Sequence, residues 1–304
     1  MNWLFIAIIA PLLWASTNFI DKFLVSKYFK SSVGTLLIYS SLIGSPVAFF
    51  IAVFNPSVLF LNLSTAILII FNSFLYILYL FPYFRALSKS DTSVVVPIFQ
   101  TIPVFSYFLA FFVLGETLSN MQIIGSLLII FGAVGISLKF KDKKIHLTKD
   151  VFFLQLLASF IVAVNFLFFK FFAIQLDFWT VSFWQYLGFV IFGILLFIFV
   201  RNYREDFVFS FKQNSKNIIG LNAVNEVLNI VATIIFTFAT LLAPLALVWV
   251  INGFQPLFAF LLGIFLTLFF PHIIKENLEK KVLIQKITCI LLIFLGAYLL
   301  NLGF

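Results

Sequence analysis

Long apolar segments separated by short polar ones make up almost the whole chain. About 20 apolar residues in a helix cover the ~30 Å hydrocarbon core of a bilayer, so each long segment predicts one transmembrane helix. Ten such segments can be marked. The predicted spans are residues 3–21, 33–54, 65–87, 94–114, 119–138, 151–171, 178–200, 218–241, 244–270 and 282–302.

This pattern predicts an all-α integral membrane protein with ten transmembrane helices. Hydrophobic residues make up 63% of the chain and charged residues only 10%, whereas a soluble protein carries roughly 25% charged residues. A soluble globular fold is therefore excluded. No lysine or arginine precedes Lys22, so the N-terminal segment is expected to be a retained first span and not a signal peptide.

The ten spans fall into two groups of five, separated by a basic segment at the midpoint. Polar and small residues recur between the groups at shifts of 147 and then 153 residues: Asn18 with Asn165, Tyr39 with Tyr186, Asn72 with Asn225, Ala86 with Ala239, and Pro103 with Pro256. We therefore predict a first repeat at 1–140, a linker at 141–150 and a second repeat at 151–304. Five helices per repeat would make the two repeats run in opposite directions through the membrane.

The joint between the fourth and fifth spans has the sequence GETLSN. Ser119 and Gln122 have the spacing of a capping box, which predicts that a helix restarts there. Glu116, just before that start, is expected to be structural because its charge complements the dipole of the following helix. Pro97 and Pro103 interrupt the fourth span, which favours a place beside a cavity or a packed interface.

These features together resemble the EamA domain of the drug/metabolite transporter superfamily. The resemblance is carried by Ala86-Leu87-Ser88, the proline-broken helix from Val94, Gly115-Glu116, and two glycines of the fifth span, Gly125 and Gly132. It implies two inverted five-helix repeats around a central cavity, with the fifth and tenth helices outside the pocket. It also implies transport of a small metabolite.

Basic residues are distributed unevenly between the nine connections. When the connections are numbered along the chain, the odd-numbered ones hold nearly all the lysines and arginines. The even-numbered ones hold Lys170 alone, near a predicted helix end. The positive-inside rule then places the odd connections in the cytoplasm and both termini outside. The net charge of +8 is explained by this asymmetry and by anionic lipid, and nucleic-acid binding is not expected.

Glu226 is the one acid well inside a span. Its helix also carries Asn222, Asn225, Asn229 and Thr233. Together with Glu226 these residues have spacings of 0, 3, 4, 7 and 11, which place them on one helical face. An ionised carboxylate at mid-membrane costs at least ~2.5–3.5 kcal/mol, so it requires protein, water or a cation. Two interpretations are open: a proton-coupling or cation-binding group, or a hydrogen-bonded acid that joins helices.

Further polar and aromatic residues inside the spans are candidates for binding an amphipathic organic substrate. The helix that matches the Glu226 helix carries Asn72, Tyr76 and Tyr79 on one face. The predicted substrate-binding set is Trp14, Asn18, Asn72, Tyr76, Tyr79, Gln100, Asn165, Asn225, Asn229, Trp249, Asn252 and Gln255, with Glu226 as the proton-coupling residue. Interhelical packing is the alternative interpretation for each of them.

Enzymatic and metal chemistry find little support in the sequence. We find no P-loop and no hydrolase motif, and His146 and His272 are isolated. We therefore expect no cofactor, no metal and no catalytic residues. The expected partners are a small-molecule substrate and membrane lipids, with a monomer as the functional form in a prokaryotic inner membrane.

The sequence thus predicts a secondary transporter, an exporter of a small metabolite such as an amino acid, working by alternating access with proton coupling. The alternatives are an uncoupled facilitator or exchanger, and a non-transporting scaffold or receptor. The scarcity of buried basic residues argues against phosphorylated substrates.

Overall fold

The computed structural model describes residues 3–24, 33–89, 98–137, 149–269 and 279–302, and within these residues all regular structure is helical. The α-helices are α1 Trp3–Ala7, α2 Ile9–Leu24, α3 Val33–Phe54, α4 Leu63–Leu78, α5 Leu80–Lys89, α6 Ile102–Leu114, α7 Asn120–Ser137, α8 Lys149–Gln175, α9 Phe178–Phe199, α10 Arg201–Leu242, α11 Leu245–Ile251, α12 Gln255–Phe269 and α13 Lys280–Leu302. Short 3-10 turns occupy Pro56–Leu59, Phe99–Thr101 and Asn252–Phe254.

The predicted spans are present as helices. In the described part of the chain, nine helical segments are long and apolar enough to cross a membrane. The fourth predicted span appears as the shorter apolar segment Phe99–Leu114, because 94–97 and hence Pro97 lie outside the described residues. The all-helical, ten-span membrane fold is therefore confirmed.

Two predicted boundaries were wrong. Residues 201–217, expected to be a connection, continue the eighth span as one helix, α10. Residues 201–217 contain no proline and no glycine, and the first glycine of α10 is Gly220. The segment therefore has no residue that would break a helix. Lys170 does not lie at a helix end either. Helix α8 continues to Gln175, which leaves Lys170 buried within it.

Prolines shape the spans without ending them. Pro46 lacks the amide that would bond the Leu42 carbonyl, and the Ser45 hydroxyl donates a 2.7 Å hydrogen bond to that carbonyl instead. Pro103 and Pro256 each follow a 3-10 turn, Phe99–Thr101 and Asn252–Phe254. These two turns are 153 residues apart, the shift that pairs the two prolines, so local geometry supports the predicted repeat.

The described helices divide into two compact units. Unit 1 comprises Met1–Ser16, Tyr79–Leu167 and Ile235–Phe304, and unit 2 comprises Thr17–Leu78 and Phe168–Ile234. Each unit therefore draws on both halves of the sequence, although the predicted repeats are consecutive along the chain.

Unit 1 contains a close approach of two helices, α7 and α13. A Cβ atom built on Gly125 would lie 2.6 Å from the Gly296 carbonyl oxygen, and one built on Gly296 would lie 2.6 Å from the Gly125 carbonyl oxygen. Only glycine on both helices permits this crossing, because any side chain would push the backbones apart.

Unit 2 is built on α9, which packs against α3 and α4. The contacts again pass through glycines of α9, since a Cβ atom on Gly188 or Gly193 would meet Ser73 or Ser41. The indole Nε1 of Trp184 donates a 3.0 Å hydrogen bond to the Val58 carbonyl. This fixes one end of α9 against the turn at Pro56–Leu59.

The GETLSN joint in unit 1 has the predicted capping box. The Ser119 amide donates to Gln122 Oε1 at 2.9 Å, and the Gln122 amide donates to Ser119 Oγ at 3.3 Å. Gly115 ends α6 in the left-handed conformation, with φ 68°. Glu116 is structural, as predicted, but the helix it is bonded to is α11: its Oε2 accepts a 2.7 Å hydrogen bond from the Leu245 amide.

Candidate functional site

The acidic stripe predicted on the eighth span forms one buried face of α10. Asn222, Asn225, Glu226 and Thr233 are buried, and Asn229 is half-buried. The Glu226 residue is only 5% exposed, so its carboxyl group is removed from bulk solvent. Charged groups in such surroundings are neutralised by a proton, a cation or hydrogen bonds.

One tyrosine of unit 2, Tyr186, interacts with this carboxyl group and with a second tyrosine. The Tyr186 hydroxyl is within electrostatic range of both Tyr76 and Glu226. The ring of Phe189 lies between the tyrosines, with centroids 5.6 Å from Tyr186 and 5.3 Å from Tyr76. Residues from α4, α9 and α10 thus form an aromatic and acidic cluster, which we call the Glu226 cluster: Tyr76, Tyr186, Phe189, Asn222 and Glu226.

The Glu226 cluster and the adjacent Gln185 present buried polar atoms that have no hydrogen-bond partner among the described residues. They are the Tyr186 hydroxyl, both amide atoms of Asn222 and, next to Tyr186, the Gln185 Oε1. Orphaned polar atoms at this depth are rare, because each costs about 1–3 kcal/mol unless something bonds it. Sequence reasoning did not select Tyr186 or Gln185 for the site, although the Tyr39–Tyr186 repeat marked the position.

Unit 1 contains a second cluster, made of four aromatic rings. Trp14 contacts Phe236 at 5.1 Å between centroids, and Phe166 and Trp249 each contact Phe236, at 5.5 Å and 4.8 Å. The Phe166 and Trp249 rings meet at 4.8 Å in a T-shaped arrangement. Tilted and T-shaped pairs are the favoured geometry for aromatic rings. We call this the aromatic cluster.

Two predicted residues carry orphaned polar atoms beside the aromatic cluster. The Trp249 indole Nε1 and the Asn252 Oδ1 are buried without a hydrogen-bond partner, and they lie one helical turn apart. Gln255, in the same predicted set, is half-buried at the start of α12. Tyr79 and Gln100 also lie in unit 1, where the Tyr79 ring is 6.4 Å from Phe99.

The remaining predicted residues are distributed between the units. Asn72 and Asn225 are buried in unit 2, at 3% and 5% exposure. Asn165 is buried in unit 1, and Asn18, in unit 2, is exposed. Within unit 1 the structure thus brings Trp14 and Trp249 to the same ring, that of Phe236. Within unit 2 it brings Tyr76 to the Phe189 ring beside Tyr186.

Sequence reasoning also missed a buried polar face on α8. Gln155, Ser159 and Phe166 follow a helical spacing of 0, 4 and 11, and all three are buried. In the described part of the chain, both amide atoms of Gln155 and the Ser159 hydroxyl have no hydrogen-bond partner. Their helical spacing was a signal, but no acid lies on this face within the span to mark it.

Comparison with known proteins agrees with this fold. Residues 1–138 match the model of the EamA-like transporter family. A protein known from a crystal structure superposes with a TM-score of 0.68, covering 99% of this chain and 96% of its own, at 16% sequence identity. At that identity the likeness shows the fold alone. No curated protein matches the sequence. The first 138 residues of the chain are thus similar to the EamA-like transporter family, the family that the sequence resemblance predicted.

Proposed function

We propose that the protein is a secondary transporter that exports a small organic metabolite by alternating access, with Glu226 as the proton-coupling residue. The observation that carries this proposal is the burial of Glu226 on a helix face that also holds the buried Asn222 and Asn225. Similarity to the EamA-like family supports the general class, since the matching family consists of transporters.

The physical argument starts from the cost of a carboxylate inside a membrane. An ionised acid at mid-membrane costs at least ~2.5–3.5 kcal/mol, so proton binding and release at Glu226 changes the energy of the surrounding helices. Tyrosine hydroxyls beside the acid can donate hydrogen bonds to the ionised form. A group with two such states is the element that a proton gradient needs in order to drive a conformational cycle.

The proposed setting follows from the same features. The protein acts as a monomer among lipids of a prokaryotic inner membrane, and the positive-inside rule places the basic connections in the cytoplasm. Amino acids and related metabolites are the substrate class that the family resemblance favours. An uncoupled exchanger and a non-transporting scaffold are the competing functions.

The test is flux through purified protein in proteoliposomes with an imposed pH gradient. The wild-type protein should accumulate a radiolabelled amino acid or related metabolite against its gradient. Glu226→Gln should retain exchange between internal and external substrate but lose gradient-driven accumulation. Glu205→Gln, which alters an exposed acid outside the spans, is the matched control and should behave as the wild type.

The competing functions give different results in this assay. Exchange without any effect of the pH gradient in the wild-type protein would identify an uncoupled exchanger. A scaffold would give no protein-dependent flux of any tested metabolite. Full gradient-driven accumulation by Glu226→Gln would refute the coupling role of that residue.

A further inference from the structure

We infer that the buried polar face of α8 in unit 1 binds an uncharged ligand with an amide or lactam edge. The site consists of Gln155, Ser159 and Ser106. The inference rests on the proposed transport function, because it names the class of substrate that would be carried. That class is a neutral molecule and not a zwitterionic amino acid. Binding to this site can nevertheless be measured without any transport.

The first observation is the state of the Gln155 amide. The residue has 0% exposure, and within the described part of the chain both its Nε2 and its Oε1 lack a hydrogen-bond partner. A neutral amide buried in this way loses its bonds to water without replacement, which costs free energy in the absence of a partner. A ligand that supplies both hydrogen bonds would lower the free-energy cost of burying this amide.

The second observation is the behaviour of the two serines. Helical serines in a membrane commonly donate to the carbonyl four residues earlier, and Ser126, Ser137 and Ser182 do so at 2.6–2.9 Å. Ser106 and Ser159 are buried too, at 0% exposure, yet their hydroxyls have no hydrogen-bond partner among the residues that the structure describes. These two hydroxyls are therefore available to a ligand.

The aromatic residues next to these serines bring the two helices together. The ring of Phe105, beside Ser106 on α6, contacts the ring of Phe160, beside Ser159 on α8, with 5.6 Å between centroids. Hence the two serine-bearing turns lie at one level on neighbouring helices. Gln155 is one turn from Ser159, or about 6 Å along the helix axis. That distance suits a ligand with a single ring.

Few charged groups lie near the site. Helix α5, which packs on α8 through Ala86 and Val151, carries Arg85 and Lys89, and Lys89 is paired with Asp150 at 3.1 Å. No acid or base occurs in residues 102–114, 155–167 or 245–269. The buried Lys286 reaches α12, but its ammonium lies 3.9 Å from the Phe260 ring centroid. An ionised ligand at Gln155 would have no counter-charge from these three segments, and an unpaired buried charge is strongly disfavoured.

The chemistry of the amide then defines the ligand edge. Gln155 offers a donor beside an acceptor, and its complement is an edge that offers an acceptor beside a donor. Carboxamides, lactams and pyrimidine rings have such an edge, whereas a carboxylate has acceptors only. Glutamine makes bidentate bonds of this type with nucleobase edges.

The experiment is thermal stabilisation and titration of the full-length purified protein with two matched ligand pairs. Nicotinamide and uracil are the neutral probes, and nicotinate and orotate are their charged counterparts. We expect saturable stabilisation by at least one neutral probe. The dissociation constant of its charged counterpart should be at least tenfold higher.

Three variants localise the binding. Gln155→Leu should weaken the neutral probe at least tenfold, and Ser159→Ala about three- to tenfold, as expected for lost hydrogen bonds. Gln175→Leu changes an exposed glutamine at the end of the same helix and should leave binding unchanged.

A further readout separates a ligand-binding role from a structural one. Without ligand, Gln155→Leu should have an unchanged or higher Tm, because it removes orphaned polar atoms. A structural glutamine would give a lower Tm instead.

The inference is overturned if neither neutral probe stabilises the protein, if the charged probes bind as well, or if Gln155→Leu binds as the wild type does. Failure of the proposed function would look different: neutral probes would bind through Gln155, but proteoliposomes would show no protein-dependent flux of them.

Discussion

The backbone amide of Leu245 donates a 2.7 Å hydrogen bond to Oε2 of Glu116, a residue 129 positions earlier in the chain. Leu245 is the first residue of α11, and Pro244 before it makes no side-chain cap of its own. The carboxylate of Glu116 therefore satisfies one of the amides that a helix start leaves unbonded, and its charge is favourable there.

Replacing Glu116 with alanine should lower the stability of the detergent-solubilised protein. Loss of a cap costs about 0.5–2 kcal/mol, and we expect a fall in Tm in thermal unfolding. Glu116→Gln, which keeps an acceptor oxygen but loses the charge, should lie between alanine and the wild type. Equal stability of all three proteins would show that this bond does not hold α11.

The crossing of α7 and α13 gives a prediction with an internal control. Gly125→Ala or Gly296→Ala places a Cβ atom 2.6 Å from a backbone carbonyl of the opposite helix, so the helices must separate. We expect about 1–3 kcal/mol of destabilisation, as for overpacked cores.

Gly220→Ala is the matched control for this crossing. Among the residues that the structure describes, nothing lies within 4 Å of a Cβ atom at Gly220, and alanine favours helix more than glycine by about 0.5–1 kcal/mol. Its Tm should be unchanged or higher. A Tm for Gly125→Ala as high as that of Gly220→Ala would contradict the close approach.

Gly115 should tolerate substitution poorly for a different reason. Nothing lies within 4 Å of a Cβ atom there, but its φ of +68° is in the left-handed region. Alanine in that conformation costs about 1–2 kcal/mol, and asparagine, which adopts it more readily, should cost less. We expect the highest Tm for the wild-type protein, a lower Tm for Gly115→Asn and the lowest Tm for Gly115→Ala. The reverse order would exclude a backbone cause.

The exposed start of α10 allows a prediction about pH. A 2.7 Å hydrogen bond from Arg201 Nε lowers the pKa of Glu205 below its usual value of 4.5. Because this pKa is lower in the folded state, the stabilisation is present above about pH 4.5 and is lost as the pH falls through the folded pKa.

Carbon NMR titration of labelled glutamate carboxyls measures this shift. The Glu205 resonance can be assigned by its loss in Glu205→Gln. Arg201→Gln should raise the pKa of Glu205 toward 4.5, and an unchanged pKa would mean that the ion pair does not form in solution.

The helical membrane fold was predictable because the lipid bilayer imposes a simple rule on the sequence. A span needs about 20 apolar residues, and the positions of all ten spans follow from that requirement. The capping box at Ser119 was equally local, since both its partners lie within one helical turn. The length of α10 was not predictable from hydropathy, because its first part is polar and yet contains no helix breaker.

The candidate sites were predictable only in part. The stripe that contains Glu226 was visible from spacing within one helix. Its neighbour Tyr186 was not, because that contact depends on how α9 packs on α4 and α10. In the same way, the sequence predicted a structural Glu116 but not Leu245 as its partner, since nothing local relates two residues 129 positions apart.

The most direct test of the proposed function is to measure proton movement together with substrate movement. The vesicles contain the protein, a trapped pH-sensitive dye and a preloaded substrate. After dilution, the dye reports proton entry, and the substrate that remains inside reports substrate efflux. We predict that protons enter wild-type vesicles as substrate leaves, and that Glu226→Gln vesicles show no substrate-dependent proton entry while still exchanging substrate. Substrate efflux from wild-type vesicles without any proton movement would contradict proton coupling at Glu226.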